Sequence, residues 1–137
     1  MTSAVTLTPG RATLDNWRVV EDGAAVHLNP AAMLAVEASA RAVDAIVAKG
    51  EPVYGINTGF GKLANVPIRS NELLVLQRNI VLSHAAGVGA PTRASTVRLM
   101  MALKLASLGH GASGVWPHTI EILEEILARD LIPVIPS

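Results

Sequence analysis

Cysteine is absent from the 137-residue sequence, which excludes a disulfide framework, a thiol nucleophile and any metal site built on thiolates. Aromatic side chains make up only 3% of the chain. Excess charge of either sign is also missing, since 11 basic residues balance 11 acidic ones, and this excludes the basic surface of a nucleic-acid-binding protein. The amino terminus lacks a secretory signal pattern. The most apolar stretch, residues 97–108, contains Arg98 and Lys104 and is too short to span a bilayer, so we expect a cytoplasmic protein.

Aliphatic side chains are abundant by contrast. Half of the residues are hydrophobic, mean hydropathy is +0.41, and charged residues account for 16%. A core with so few aromatics must be built from Ala, Leu, Val and Ile, which favours closely packed helices. The length suits one domain. Because such hydropathy is high for a small protein, we expect part of the surface to be covered by another chain.

Periodicity and capping residues predict a mainly α fold with short strands near residues 5–8 and 25–28. Thr13 is placed to cap a helix, and Asn29 followed by Pro30 is a typical helix start. Ser70 is placed to cap a later helix. The predicted helices cover residues 13–20, 30–49, 70–86, 92–109 and 117–129.

The segment from residue 51 to residue 67 breaks the helical pattern and is predicted to be a loop. Its centre, YGINTGFG at residues 54–61, holds three glycines that let the backbone take positive φ and approach a ligand closely. Its G-x-x-x-G-x-G spacing differs from a dinucleotide fingerprint, and Leu63 stands where a P-loop needs Ser or Thr. The alternative interpretation is a glycine-rich turn anchored by a tyrosine.

Polar side chains interrupt the apolar helix predicted over residues 70–86. Gln77 and His84 are seven residues apart and share one face, with Ser83 beside them. Polar side chains on an apolar helix must have hydrogen-bond partners, face water or line a site. The alternative interpretation of His84 is a structural histidine that is hydrogen-bonded within the fold. His110 and His118 lack companions at metal-ligand spacing, so we expect no metal. The acidic residues of the last helix are expected to form a solvated face: Glu121, Glu124 and Glu125.

Two motifs at the right separation, YGINTGFG at residues 54–61 and LQRNIVLSHAAGVG at residues 76–89, resemble the amino-terminal part of the aromatic amino acid ammonia-lyases. The likeness runs from LTPG at residues 7–10 to PVIP at residues 133–136. The pair Ser83-His84 is similar to the histidine-specific branch rather than to the tyrosine and phenylalanine branches. The resemblance implies one amino-terminal lyase segment over residues 1–137, with a tyrosine loop at about 51–67 and the start of a helical bundle at about 92–130.

The implied activity is elimination of ammonia from L-histidine to give urocanate. By resemblance, Tyr54 is the catalytic base on a mobile loop, Gly61 lies near the substrate, and Ser83 and His84 line the substrate pocket. Because a free phenol has a pKa near 10, the site must lower that value before a tyrosine acts at neutral pH. Two alternatives stay open: a non-catalytic truncated homologue that serves as an oligomerisation module, and a tyrosine or phenylalanine ammonia-lyase or aminomutase.

The family's electrophile is a methylidene-imidazolone (MIO) ring, formed autocatalytically from an internal Ala-Ser-Gly just beyond the P-x-I-P segment. The chain ends at Ser137, before that point, and we therefore expect no cofactor residues within it and no activity from it alone. Ala112, Ser113 and Gly114 repeat the tripeptide, but Val-Trp follows instead of Asp-Leu, so they are rejected as the ring precursor. The implied partners are L-histidine and three further copies of the protein in a homotetramer.

Overall fold

The structure, a computed structural model, describes residues 4–136 and divides them into two compact units. Residues 4–40 and 89–136 form the first, here called the strand unit, and residues 41–88 form the second, called the loop unit. Residues 1–3 and Ser137, which the predicted segment over residues 1–137 includes, lie outside the described residues.

Helices dominate the described part of the chain, which confirms the mainly α prediction. No helix within residues 4–136 is long and apolar enough to cross a membrane. The helices are α1 (Leu14–Glu21), α2 (Met33–Lys49), α3 (Leu73–His84), α4 (Ala94–Leu108) and α5 (Pro117–Ala128), and the strands are β1 (Val5–Leu7) and β2 (Val26–Leu28). Short 3-10 turns cover Pro30–Ala32, Gly61–Leu63 and Ser70–Glu72.

Local capping explains where two of the helices begin. The Thr13 hydroxyl accepts the backbone N–H of Asn16, while Asn16 Oδ1 accepts the backbone N–H of Thr13, so the predicted cap is confirmed as a reciprocal pair. Asn29 Oδ1 accepts the N–H of Ala31 and starts the 3-10 turn that leads into α2. Ser70, in contrast, does not cap α3, because it lies inside a 3-10 turn that follows Arg69.

The core of the strand unit forms around a two-stranded parallel sheet. Val5 pairs with Val26 and Leu7 with Leu28, and α1 supplies the crossover that parallel strands require. Alternate strand residues point inward, and α4 and α5 pack against them. The largest fully buried apolar side chains are aliphatic, as the composition predicts: Leu7, Val20, Val26, Val36, Val97, Leu105, Ile120 and Leu127.

One acidic side chain of α5 differs from the expected solvated face. Glu121 and Glu125 are exposed, as predicted, and pair with His118 and Arg129. Glu124 is half-buried, and its carboxylate accepts the backbone N–H of Leu28 on the open edge of β2. The prediction was wrong for Glu124 because an edge N–H needs a partner, and a carboxylate one helix away provides it.

A buried arginine in α4 connects three elements of the strand unit. Arg98 is 4% exposed. Its guanidinium donates to the carbonyl oxygens of Val20 (3.0 Å), Ala24 (2.6 Å) and Leu127 (3.1 Å) and to Asp130 Oδ1 (2.8 Å). The carbonyls of Val20 and Leu127 belong to the last turns of α1 and α5, where helices leave carbonyl groups without intrahelical partners. These two carbonyls also accept the backbone N–H groups of Gly23 and Asp130, so the cation adds a second, charged donor at two helix ends and is favoured electrostatically there.

Arg98→Met should lower the free energy of unfolding of the strand unit by about 1–3 kcal/mol, because the Ala24 carbonyl loses its side-chain donor and the carbonyls of Val20 and Leu127 each lose one of theirs. Urea unfolding followed by tryptophan fluorescence measures this, since Trp17 and Trp116 both belong to the strand unit. Arg93→Met, which removes an exposed arginine just before the same helix, is the matched control and should change stability little. Equal losses in the two variants would contradict the role of Arg98.

Candidate functional site

The glycine-rich segment of the loop unit forms a closed turn with Tyr54 near its apex. Val53 N–H donates to Asn57 Oδ1 at 2.7 Å, and Asn57 Nδ2 donates to the carbonyl of Glu51 at 2.8 Å. The backbone N–H groups of Ile56 and Asn57 both donate to the Val53 carbonyl, at 3.1 and 3.2 Å. We call residues 51–57 the tyrosine turn.

Tyr54 itself is largely accessible, with 63% of its surface exposed. Its ring meets the edge of the Phe60 ring, with centroids 5.8 Å apart and planes inclined by 63°. Such an edge-to-face contact is a favoured aromatic geometry. The phenol therefore lies beside Phe60 and remains accessible to solvent.

A second closed loop follows the tyrosine turn and carries Phe60 and Gly61. Gly59 N–H donates to the carbonyl of Val66 (3.0 Å), and Ile68 N–H donates to the carbonyl of Asn57 (2.8 Å). A side chain on Gly59 would meet Leu63 Cβ at 2.6 Å, so glycine is required at this position. Gly61 begins the 3-10 turn at φ +58°, a left-handed conformation that glycine adopts without strain.

A cavity of about 510 Å³ lies between this second loop and α3 within the loop unit. Its wall is mainly apolar, with a few polar groups from α3, which is the composition typical of small-molecule sites. The lining residues are Gly59, Phe60, Leu63, Val66, Ile68, Leu76, Asn79, Ile80, Ser83 and His84.

The hydrogen bonds of His84 define the chemistry of its outer ring nitrogen. Nδ1 lies 2.8 Å from the carbonyl oxygen of Ile80 and 3.1 Å from Ser83 Oγ, which itself donates to the same carbonyl at 3.0 Å. Since a carbonyl only accepts, Nδ1 must carry the proton. In the neutral ring Nε2 is then an acceptor. His84 can therefore accept a hydrogen bond from an N–H or O–H of a bound molecule.

The structure brings some of the predicted site residues together and leaves others apart. Ser83 and His84 line the same cavity, and Tyr54 contacts Phe60 of its wall. Gly61 and Gln77 are exposed and do not line the cavity. The α3 side of the cavity is formed by the neighbouring face of that helix, which includes Ser83 and His84. Sequence reasoning did not assign Asn79 to the site and took Asn57 only as a sign of a loop, although an asparagine in a turn often bonds nearby backbone groups with its side chain.

The Ala-Ser-Gly tripeptide at residues 112–114 belongs to the strand unit and lies in the loop between α4 and α5. Ring closure requires the Gly114 nitrogen to attack the Ala112 carbonyl. That nitrogen instead donates to Ser39 Oγ at 3.0 Å, and Ala112 and Ser113 are exposed. The tripeptide therefore does not fit a MIO precursor. Within residues 4–136 there is also no group of three or more His, Asp or Glu side chains able to hold a metal ion.

Comparison with known proteins gives the family. The family model described as aromatic amino acid lyase matches residues 13–137, nearly the whole chain. The chain belongs to this family, as the sequence resemblance predicts.

Solved structures agree with the family and with the expected fold. Histidine ammonia-lyase from Trypanosoma cruzi is 31% identical with a TM-score of 0.86, over 97% of this chain and 26% of that chain. Tyrosine aminomutase from Streptomyces globisporus is 30% identical with a TM-score of 0.88, over 96% and 26%. Ergothionase from Treponema denticola, at 24% identity and a TM-score of 0.92 over 98% and 27%, shows the fold alone. The chain thus spans about a quarter of the length of these structures.

The expressed chain should keep the mass that its sequence dictates. Ring closure at Ala112-Ser113-Gly114 and dehydration of Ser113 would each release one water, and the bonded state of the Gly114 nitrogen opposes closure. Intact-protein mass spectrometry measures this directly. A species lighter by two water molecules would contradict the rejection of this tripeptide.

Proposed function

We propose that this chain supplies the tyrosine loop and part of the substrate pocket of an ammonia-lyase that converts L-histidine to urocanate. The observation that carries the proposal is the mainly apolar cavity beside α3, which His84 lines together with Asn79 and Ser83, and the hydrogen bond of Nδ1 that leaves the other His84 ring nitrogen as an acceptor. An imidazole substrate has a ring N–H that this nitrogen can accept, while its flat ring suits the apolar surface. A site that pairs a substrate N–H discriminates strongly against analogues that lack one.

Tyr54 is proposed as the base of the elimination. Its phenolic oxygen, in the deprotonated form, takes the β-proton, the C–H electron pair forms the new double bond, and the C–N bond of the substrate's ammonium group breaks so that neutral ammonia leaves with that electron pair. The exposed position of Tyr54, next to a wall residue of the cavity, supports this role. Gly61 does not line the cavity itself but follows Phe60, which does, and we propose that it lies near the substrate and that its left-handed φ lets the second closed loop close over the substrate.

The electrophile is proposed to come from residues outside this chain. A MIO ring, when present, would withdraw electrons from the substrate and make ammonia a better leaving group. Since Ala112, Ser113 and Gly114 do not fit its precursor, we propose that the 137 residues alone are inactive.

Self-association, as a homotetramer, is proposed for the complete enzyme. The helix α3 has no buried residue, although it is rich in leucine, isoleucine and valine. Exposed apolar surface of this kind is typical of protein interfaces. Its most accessible large side chains are Leu74, Val75, Val81 and Leu82, between 56% and 84% exposed. A cytoplasmic location remains a prediction from the sequence.

A second candidate is an aminomutase acting on tyrosine. The similarity to tyrosine aminomutase, at 30% identity, is close to that for the histidine enzyme. The acceptor nitrogen of His84 also suits a phenol O–H. The products separate the two candidates, since urocanate forms only from histidine and a β-amino acid forms only from tyrosine by the mutase reaction.

Tyr54→Phe should lower kcat for L-histidine by about 10²- to 10⁴-fold, because the phenyl ring keeps the Phe60 contact and loses the proton-accepting oxygen. The measurement is urocanate formation by the complete polypeptide, in which this chain is continued by the rest of the family fold. Size-exclusion chromatography should show unchanged assembly. Undiminished turnover would refute the role of the hydroxyl, and a stable oligomer of the unmutated protein that turns over neither histidine nor tyrosine would favour the non-catalytic module.

His84→Leu should lower kcat/KM for L-histidine by about 10- to 100-fold, because the substrate N–H loses its acceptor in an apolar cavity. Phenylalanine, which has no ring donor, should lose little. His118→Leu replaces an exposed histidine of the strand unit and is the matched control. If both variants keep full activity on histidine, the substrate assignment is wrong.

A further inference from the structure

The side chain of Asn57 lies where the two closed loops of the loop unit meet. Asn57 is 5% exposed, and its amide closes the tyrosine turn by bonding both Val53 N–H and the Glu51 carbonyl. Its own carbonyl accepts Ile68 N–H at 2.8 Å and so helps to close the second loop. One residue therefore connects the turn that carries Tyr54 with the segment that forms the cavity wall at Ile68 and continues into α3.

We infer that Asn57 is a positioning residue, which fixes Tyr54 relative to the cavity because its side chain joins the last residue of the tyrosine turn to the first part of that turn, at Glu51 and Val53. The positioning role deepens the proposed function and rests on the assignment of Tyr54 as the base. A proton is transferred only when base and substrate are held in the correct geometry, and small displacements reduce the rate strongly. A fixed turn meets this requirement where a loop rich in glycine would not.

The chemistry of the amide explains why asparagine occupies this position. A short side chain here must accept one hydrogen bond and donate another, which asparagine does with its oxygen and nitrogen. An ionised aspartate accepts only, and its second oxygen would face the Glu51 carbonyl. Without the side-chain bonds, the turn would keep two backbone N–H groups that share the single Val53 carbonyl. Two hydrogen bonds to one shared acceptor hold the turn less firmly than the same two bonds together with those of the Asn57 side chain.

Because Tyr54 is the only tyrosine in the sequence, 3-fluorotyrosine labelling of the 137-residue chain gives one ¹⁹F resonance that reports on the tyrosine turn alone. The Phe60 ring beside it should move that resonance away from the position of the free amino acid. We compare the unmutated chain with Asn57→Asp. Asn65→Asp makes the same chemical change at an exposed position of the same loop and is the matched control.

At about pH 7.5, the ¹⁹F resonance of the unmutated chain and of Asn65→Asp should be shifted away from that of free 3-fluorotyrosine. The resonance of Asn57→Asp should lie close to that of the free amino acid. Lowering the pH to about 3, below the ordinary pKa of an aspartic acid, should move the Asn57→Asp resonance back, because a protonated carboxyl regains the donor for the Glu51 carbonyl. Hydrogen exchange of Gly59 N–H, which bonds Val66 rather than the Asn57 side chain, should remain slow throughout.

Each other outcome overturns the positioning role. An Asn57→Asp resonance that stays in place, or an equal shift in Asn65→Asp, shows that the amide does not hold Tyr54. Fast exchange at Gly59 in Asn57→Asp, or no return at low pH, shows that the substitution unfolds the whole loop instead of releasing the turn. A free-position resonance in the unmutated chain contradicts the fixed turn itself. None of these measurements uses enzymatic turnover, so a failure of the histidine assay would leave them unaffected.

Discussion

Backbone polar groups removed from water must find partners, and in this chain side chains meet that requirement at several places where helices and strands do not. Arg98 does so in the strand unit, where it donates to the carbonyls that follow or end α1 and α5. Asn57 does so in the loop unit, where its amide bonds a donor and an acceptor of the tyrosine turn. Each residue fixes the ends of segments that aliphatic packing alone would leave free to shift, because dispersion and burial have no direction whereas these hydrogen bonds do.

Much of the fold follows from local sequence signals. Thr13 and the Asn29-Pro30 pair mark helix starts that the structure confirms, and both strands lie within one residue of their predicted limits at each end. The Ser70 cap fails for a local reason, the 3-10 turn before α3, whereas two other features could not be predicted because tertiary contacts decide them. Arg98 reads in the sequence only as an interruption of an apolar stretch, and its partners are 29 to 78 residues away along the chain. Glu124 differs from its acidic neighbours for the same reason, since its partner Leu28 is 96 residues distant.

The candidate site was less predictable from the sequence than the fold. The motifs locate Tyr54 and the Ser83-His84 pair, and the family that they resemble is confirmed. The direction of the His84 ring could not be read from periodicity, because it depends on a hydrogen bond to the carbonyl of Ile80 one turn earlier. The cavity wall at Asn79 and Ile80 likewise depends on how the second loop folds back onto α3.

The Glu124 carboxylate on Leu28 has a consequence for how this chain behaves at high concentration. A two-stranded sheet normally offers its outer edges to other polypeptides, and unpaired edges are where fibrillar aggregates begin to grow. At the outer edge of β2, the backbone N–H of Leu28 already donates to the negatively charged carboxylate of Glu124. An incoming strand would have to displace that carboxylate and leave it without its partner, so the edge resists templated growth despite the aliphatic character of the chain.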